Sequence, residues 1–358
     1  MRRKIKKLLP IVFVLWVLSF FLSVAIGVVL SIFGFLLLCA VAGFLVLNRL
    51  VKRTNWWKNQ YLATTQFVSN TGYRNNIIRN YDIINLGSNP AHYAFFYEDV
   101  KGQSWATGSQ GQDMDFEVLK YFHSYLRDGG TVLIPIMPFT AISPYLKECP
   151  EYWGIAYYSK FSKILDITQT FQLPYGGLLR KYLKYPLLYN WKAVRYLIAD
   201  TQPDTHYKLS DQPMMKLELE QDATIWIKNW LTEFNLYSMN EILEDRWNKY
   251  YSEAMDLNIQ MVDYCIERRL KPVFITIPMT THLIKMFPEN IWKYLVNDFV
   301  EKANIRKVPF LDYTFDDRFQ DDSLYFNSFF LNLRGRKLFT KQVLKDLGLI
   351  TEDDKIYR

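Results

Sequence analysis

Acidic residues are absent from the first 81 positions of this 358-residue chain, although the whole chain contains 36 of them. The same stretch carries 11 of the 43 lysines and arginines, so the formal net charge of +7 comes from the N-terminal part and the rest is slightly acidic. A nucleic-acid-binding domain needs its basic excess on the folded domain itself. Since the sequence also has no DNA or RNA motif, we exclude nucleic acid as a partner and assign the basic excess to membrane topology and lipid headgroups.

Cysteine and histidine are scarce, with three and four residues. Cys39 lies in an apolar run, whereas Cys149 and Cys265 are isolated, with neither CxxC spacing nor a neighbouring histidine pair. This distribution argues against a disulfide framework and against a metal site, and no metal or organic cofactor is predicted. Two buried thiols are the main prediction, and one Cys149–Cys265 disulfide is the alternative.

Charged residues are missing from residues 8–48, which form one long apolar run. A bilayer crossing needs about 20 apolar residues, so the run predicts a transmembrane segment and the lipid bilayer as a partner. One helix would be about twice as long as a hydrocarbon core of ~30 Å, so we predict a two-helix hairpin that turns near Gly27 or Gly34. A cleaved signal peptide fits less well, because its apolar core is only ~7–15 residues long.

Basic residues lie on both sides of the apolar run. Tryptophan and tyrosine, which favour the membrane interface, follow it at Trp56, Trp57 and Tyr61. By the positive-inside tendency, a hairpin places both ends and the large domain in the cytoplasm, and a single span with an exterior domain is the alternative. The basic residues are Arg2, Arg3, Lys4, Lys6 and Lys7 before the run, and Arg49, Lys52, Arg53 and Lys58 after it.

Apolar strands alternate with amphipathic helices along the rest of the chain. This order predicts an α/β fold with a doubly wound parallel sheet, because parallel crossovers require helices. The predicted strands are Tyr81–Leu86, Thr131–Ile136, Lys271–Pro278 and Val308–Asp312, and the predicted helices are Asp115–Leu126, Trp247–Arg269, Ile291–Ala303 and Arg334–Leu347. The predicted organisation is a basic N-terminus (1–7), a transmembrane segment (8–48), a juxtamembrane stretch (49–77), an α/β domain (78–348) and a tail (349–358).

An aromatic-rich insert interrupts the alternation at about residues 140–245. Its basic and aromatic stretch from Arg180 to Arg195 has two interpretations. It lies on the lipid headgroup layer, as amphipathic segments do, or its tyrosines and leucines simply pack within the protein.

The segment IINLGSNPAH, residues 83–92, resembles a strand that ends at Gly87 and is followed by a helix with Pro90 in its first turn. Ser88 therefore lies at the carboxyl end of a strand, where ligands bind in open α/β sheets. Such a serine is exposed for nucleophilic attack, with backbone N–H groups beside it for an oxyanion. Alternatively, Ser88 or Asn89 only caps the helix.

Four segments, YDIINLGSNPAHYAF, WATGSQGQDMDFEVLKYF, LDYTFDDRF and FNSFFLNLRGRKLFT, occur in this order. Their order resembles that of the SGNH/GDSL-like hydrolases of bacterial surface-polymer loci, a group related to the D-alanyl transfer protein of lipoteichoic acid and to polysaccharide O-acetyl esterases and transferases. The resemblance covers roughly residues 78–348. It implies a three-layer, flavodoxin-like sheet, a domain outside the cell and an acyl-ester site at Ser88.

By the same resemblance, the backbone N–H of Ser88 and the loop Gly108-Ser109-Gln110-Gly111 would hold the oxyanion. Ser88, Ser109, Gln110 and Asn332 would line the groove that holds a glycan or acyl ester. These roles are implied by the resemblance alone.

The last segment departs from the family pattern, in which Asp-x-x-His precedes Leu-Asn and a glycine. Here Asn327 replaces the aspartate and Phe330 replaces the histidine, and neither side chain can act as a base. His282 and His92 are the candidate substitute bases because each follows the carboxyl end of a predicted strand. Asp312, Asp316 or Asp317 would orient the histidine.

The sequence therefore predicts a membrane-anchored, SGNH-like protein of bacterial cell-envelope polysaccharide or teichoic-acid biosynthesis or modification. It would act as a binding or assembly module without the usual catalytic pair. Its predicted partners are a glycopolymer or acyl-ester ligand and a membrane acyltransferase or glycan-assembly protein. The alternative is an active serine O-acyl esterase or acyltransferase that uses Ser88 and a relocated base.

Overall fold

The computed structural model describes residues 2–54, 57, 79–106, 108, 110–149, 184–188, 190–199 and 215–351. The chain divides into two compact units. One contains residues 1–54 and 181–200, and the other contains residues 55–180 and 201–358. The predicted insert is therefore split, because residues 181–200 belong to the unit of the N-terminal helix.

Helix α1 runs without a break from Arg2 to Val51, in place of the predicted two-helix hairpin. Gly27 and Gly34 lie inside this helix, where a glycine costs only about 1 kcal/mol relative to alanine. The hydroxyls of Ser23 and Ser31 donate hydrogen bonds to the carbonyls four residues earlier, at 2.7 and 2.8 Å. These glycines and serines therefore weaken the helix without ending it. The part Phe13–Val51 is long and apolar enough to cross a membrane.

The second unit is built on a five-stranded parallel sheet with helices, which confirms the α/β class. The strand order is β2-β1-β3-β4-β5. Register pairs place Ile83 beside Gly102 and Thr131, Leu133 beside Val273, and Phe274 beside Phe310. The strands are β1 (Tyr81–Asn85), β2 (Gly102–Ser104), β3 (Leu126–Pro135), β4 (Lys271–Ile275) and β5 (Phe310–Leu311). Strand β2 was not predicted, because Gly-Gln-Ser has neither length nor apolar character.

Among the described helices that follow α1, three have only one turn. The helices are α2 (Asn89–His92), α3 (Gln112–Phe122), α4 (Lys216–Glu233), α5 (Asn248–Glu267), α6 (Thr281–Ile284), α7 (Glu289–Trp292), α8 (Asp298–Ala303) and α9 (Leu333–Asp346). Short 3-10 turns include Thr140–Glu148, Pro186–Leu188, Trp191–Leu197 and Asp322–Leu324.

The order of the strands reverses at β1, which has β2 on one side and β3 on the other. Connections diverge at such a point and leave a crevice at the carboxyl ends of the two strands. Buried apolar residues of the strands, including Ile83, Leu133 and Ile275, fix the sheet beneath this crevice. The backbone that follows β1 and β3 is therefore the expected place for a ligand.

The start of α9 is held by Asn332, which is completely buried. Its Oδ1 accepts a hydrogen bond from the Gly335 N–H at 3.0 Å, and its Nδ2 donates to the Ser323 carbonyl at 2.7 Å. A Cβ atom on Gly335 would lie 2.1 Å from the Leu324 carbonyl oxygen. Leu331, Asn332 and Gly335 of the segment FNSFFLNLRGRKLFT therefore have a structural role, which is to form the start of α9.

We expect Gly335→Ala to destabilise the protein by about 2–3 kcal/mol, because the added methyl group meets backbone that cannot move away without breaking the cap of α9. Thermal unfolding of the detergent-purified chain, followed by near-ultraviolet circular dichroism, measures this loss. Lys337→Ala is the control, since it removes an exposed ion pair with Glu98 and a surface contact between Lys337 Nζ and the Phe96 ring, and should change stability by about 1 kcal/mol or less. Equal stability of the two variants would contradict the prediction.

Candidate functional site

A cavity of about 270 Å³ lies at the point where the strand order reverses. Gly87 and Ser88, which follow β1, and Pro135 and Met137, at the end of β3, form one side of it. The segment before α3 and residues of α4 complete the lining. The cavity is also lined by Asn89, Gln110, Gly111, Gln112, Asp115, Phe139, Trp226, Trp230, Glu233, Phe234, Phe329 and Phe330.

Ser88 is half-buried and precedes α2, with extended backbone angles of φ −97° and ψ −154°. Its side chain makes no capping hydrogen bond, so the helix-cap interpretation does not account for this serine. Gly87 has φ +111°, and a Cβ atom there would lie 2.8 Å from the Ala91 Cβ. Glycine is therefore required for the turn that brings Ser88 to the cavity.

Asp115, in the first turn of α3, joins the two segments that flank the cavity. Its Oδ1 accepts hydrogen bonds from the Gly87 N–H at 2.8 Å and from Gln110 Nε2 at 2.5 Å. Gln110 Nε2 also donates to the Trp105 carbonyl at 3.2 Å. Burial raises the pKa of Asp115 to about 7, although both hydrogen bonds oppose the shift.

Two glutamines present unpaired amide atoms at the cavity. Gln110 and Gln112 are 5% and 7% exposed. Within the part of the chain that the structure describes, Gln110 Oε1 and both amide atoms of Gln112 have no hydrogen-bond partner. Buried polar atoms are rarely left in this state, so these groups point to a ligand that supplies the missing partners.

The opposite wall of the cavity is aromatic. The Trp226 ring of α4 lies 5.4 Å from the Phe330 ring, and the Trp230 ring lies 5.1 Å from the rings of Phe139 and Phe329. The rings of Phe139 and Phe234 stack at 5.0 Å. Stacked and edge-to-face pairs at these distances are favourable, so the wall is a rigid apolar surface.

Glu233, at the end of α4, is the second carboxyl group in the cavity lining. Burial raises its pKa. The cavity thus combines a polar side formed by serine, amides and aspartate with an apolar wall that ends at this glutamate.

The last segment brings Phe330 to the cavity and leaves Asn327 out of its lining. Asn327 Oδ1 accepts hydrogen bonds from the N–H groups of Phe329 and Phe330, at 3.0 and 2.7 Å. Asp222 of α4 accepts hydrogen bonds from the Ser328 N–H at 2.9 Å and from the Ser328 hydroxyl. Asn327 and Asp222 therefore fix the backbone that turns the Phe330 ring toward the cavity.

Neither substitute histidine is part of the cavity lining. His282 Nε2 lies 2.9 Å from Asp322 Oδ2, and its Nδ1 lies 3.8 Å from Glu220 Oε1. The His92 ring contacts the Tyr93 ring at 5.0 Å, and the backbone N–H of His92 donates to the Ser88 carbonyl at 2.9 Å. The cavity lining therefore gives no support to the prediction that His282 or His92 is the base that deprotonates Ser88.

The carboxylates expected to orient a histidine have other partners. Asp312 accepts from the Thr276 hydroxyl at 2.7 Å, and Asp316 pairs with Arg318. Asp317 begins a 3-10 turn. The partner of His282 is Asp322, which lies outside the predicted set because a loop between β5 and α9 sets its position.

The predicted oxyanion loop is only partly at the cavity. Gln110 and Gly111 line it, Gly108 does not, and Ser109 lies outside the described residues. A Cβ atom on Gly108 would lie 2.9 Å from Asn89 Oδ1, so this glycine lets the loop approach the segment of Ser88. Asn332, which was predicted to bind ligand, is not among the lining residues, and both ends of its amide hold the start of α9.

Sequence reasoning missed Gln112, Asp115 and the aromatic residues of α4. The observed α3 starts three residues before the predicted helix, so Gln112 and Asp115 fall in its first turn beside the loop. The spacing of Leu219, Ala223, Trp226 and Trp230 is helical and was the available signal for α4. It was overlooked because the whole insert was treated as irregular.

Comparison with protein-family models gives no match, and no curated protein matches this chain.

The pKa of Asp115 makes stability depend on pH. Because the folded state raises this pKa from 3.8 to about 7, the stabilisation is complete below about pH 4 and is lost as the pH rises to about 7. Asp115→Asn stays neutral and keeps an oxygen acceptor for Gly87 and Gln110. We expect the free energy of unfolding of this variant, relative to the native chain, to rise by about 2–3 kcal/mol between pH 5 and pH 8.

Urea unfolding of the detergent-purified chain at the two pH values measures this difference. Asp128→Asn, which changes an exposed carboxylate, is the matched control and should keep the native pH dependence. A constant difference between Asp115→Asn and the native chain at both pH values would show that Asp115 is ionised throughout.

Proposed function

We propose that this protein is a membrane-anchored ligand-binding module of bacterial cell-envelope polysaccharide or teichoic-acid biosynthesis or modification, built on an SGNH-like, three-layer α/β domain. The observation that carries the proposal is the Phe330 ring in the lining of the Ser88 cavity. The resemblance places a catalytic histidine at this position, and a phenyl ring cannot accept a proton.

The composition of the cavity favours binding over hydrolysis. Among the described lining residues there is no histidine to deprotonate the Ser88 hydroxyl. Loss of the base typically reduces a serine mechanism by several orders of magnitude, and an oxyanion hole alone retains only a small residual activity.

The chemistry of the lining favours a sugar that carries an ester group. The unpaired Oε1 of Gln110 suits a hydroxyl donor, and the unpaired amide of Gln112 suits hydroxyl and carbonyl groups. Trp226 and Trp230 offer apolar faces for a ring or acyl group. The volume is near the lower end for small-molecule sites, about 300 Å³, and suits one substituted sugar unit. The polymer class itself comes from the resemblance.

Helix α1 supplies the membrane anchor in this proposal. With a single crossing, the basic flanks lie on opposite sides of the membrane, so the argument that both are cytoplasmic no longer applies. The N-terminal flank inside and the α/β domain outside agree with the resemblance. The domain would then present its ligand to a membrane acyltransferase or glycan-assembly protein.

A second candidate function is O-acyl ester hydrolysis or transfer at Ser88. The specific observation in its favour is Asp115, a carboxyl group in the same cavity whose pKa of about 7 suits a general base. Its Oδ1 is occupied by two hydrogen bonds from Gly87 and Gln110, which favours a role in holding the loops instead.

We expect little or no Ser88-dependent reaction with a fluorophosphonate, because no histidine is among the described residues that line the cavity. The double variant Asn327→Asp/Phe330→His should gain Ser88-dependent labelling, since it restores the family pair on a backbone already directed at the cavity. In-gel fluorescence of the detergent-purified chain measures the labelling.

Ser88→Ala, in the native chain and in the double variant, identifies labelling at this serine. Strong labelling of the native chain that disappears with Ser88→Ala would overturn the binding proposal and establish the esterase or transferase alternative. Circular dichroism of each variant ensures that an intact fold is compared.

We also expect the detergent-purified chain to bind methyl 6-O-acetyl-glucopyranoside more tightly than methyl glucopyranoside. Gln112→Leu should weaken binding of the acetylated sugar about ten-fold, because it removes an amide and keeps the side-chain volume. Saturation-transfer NMR with competition measures both effects. Tyr237→Ala, at a residue 94% exposed and outside the cavity lining, is the control, and equal binding by Gln112→Leu and Tyr237→Ala would contradict the assignment.

A further inference from the structure

The unit of α1 includes a short segment from far along the chain, residues 184–199, which we call the foot. It contains the 3-10 turns Pro186–Leu188 and Trp191–Leu197, and both turns contact α1. No acidic residue occurs in the foot or in residues 1–54, the N-terminal part of the same unit.

Asn48 of α1 holds the foot in place. Its Oδ1 accepts a buried hydrogen bond from the Leu187 N–H at 3.0 Å, while its Nδ2 donates to the Phe44 carbonyl at 2.7 Å. The Tyr185 ring lies 6.0 Å from the Phe44 ring. The foot is therefore attached at the C-terminal end of α1 by a specific buried contact.

The point of attachment coincides with the end of the apolar surface of α1. Exposed apolar side chains continue to Leu50, and the exposed basic side chains Arg49 and Arg53 begin at the same level. Basic residues at the end of an apolar helix mark the boundary between the hydrocarbon core and water. The foot thus lies at the level of that boundary.

The surface of the foot is both apolar and basic. Leu188, Trp191 and Ile198 are 57%, 73% and 92% exposed, which is unusual for large apolar side chains in water. Lys192 and Arg195 are also exposed and lie three residues apart, so they share one side of the 3-10 turn. Exposed apolar groups beside lysine and arginine are typical of segments that lie in a membrane interface.

The basic groups of α1 and the foot also approach one another. Burial and the positive charge of Lys184 lower the pKa of Lys52. Lysines held together in this way are stabilised by an anion between them, and the phosphates of an anionic leaflet supply such charges.

We propose that the foot is a second membrane contact, whose exposed Leu188, Trp191 and Ile198 enter the interface of an anionic phospholipid bilayer while its lysines and arginines contact lipid phosphates. This inference rests on the proposed anchoring by α1 and fixes where the bilayer ends along that helix. In this proposal the exposed side chains of the described part of Arg180–Arg195 lie in the headgroup layer, whereas Tyr185 and Leu187 pack against α1.

The test uses the full chain with Cys39→Ala and Cys149→Ala, and one new cysteine at a time, Leu188→Cys or Ile198→Cys, labelled with the environment-sensitive dye NBD. Cys265 stays, because it is buried and its pKa is raised to about 12. Each protein is reconstituted into vesicles of phosphatidylglycerol and phosphatidylcholine, with and without lipids that carry a doxyl quencher near the headgroup. Tyr237→Cys is the matched control, since it is 94% exposed and belongs to the other unit.

We expect the emission of dye at 188 and 198 to shift to shorter wavelength in vesicles and to lose most of its intensity with doxyl lipids, whereas dye at 237 keeps its aqueous emission. Water-like emission at 188 and 198 in protein that floats with vesicles would overturn the foot proposal and leave α1 as the anchor. A blue-shifted emission that doxyl lipids do not quench would also overturn it, by showing that protein covers the foot. Failure of the chain to float would overturn the anchoring proposal itself.

Vesicles of phosphatidylcholine alone test the role of charge. Removing the anionic lipid should reduce the quenching at 188 and 198, since the basic residues then lose their counter-charges. Equal quenching in both kinds of vesicle would overturn the preference of the foot for an anionic bilayer.

Discussion

The cavity depends on one buried carboxyl group, that of Asp115, which accepts hydrogen bonds from the segment after β1 and from the segment before α3. These segments follow the neighbouring strands β1 and β2, next to the point where the strand order reverses. Burial makes the ionised form of this carboxyl costly, so its pKa rises to about 7. The connection that shapes the polar side of the cavity is thus also a source of pH-dependent stability.

The aromatic wall is held in a different way, through α4 and the last segment. Asp222 fixes the backbone at Ser328, and Trp226, one helical turn further, contacts the rings of Phe329 and Phe330. A histidine at position 330 would need an orienting carboxylate and a polar surrounding, whereas the phenyl ring gains from packing against tryptophan. A phenylalanine at position 330, where the resemblance implies a histidine, and the aromatic character of α4 are therefore mutually consistent, and both agree with the proposed binding role.

The sequence predicted the fold better than the site. Strands such as Lys271–Ile275 are apolar runs between clear helical patterns, so both the strands and the parallel arrangement could be predicted. Ser88 could be located because a glycine interrupts such a run. The unpaired state of Gln112 and the contact between Asp115 and Gly87 depend on packing between segments 25 or more residues apart, which no local pattern encodes. The sequence alone could not place Asn332 at the start of α9, because a buried helix cap and a ligand-binding amide can be the same residue type.

The length of α1 leaves open where along this helix the membrane ends. An uncharged run of residues 8–48 is about twice as long as a hydrocarbon core of ~30 Å, so its ends cannot both mark the membrane boundary. In the proposed arrangement the foot marks the membrane boundary, which hydropathy alone does not locate on this helix. Its buried hydrogen bond to Asn48 places basic and aromatic groups at one level of the helix. About 20 residues of α1 before that level suffice to cross the bilayer.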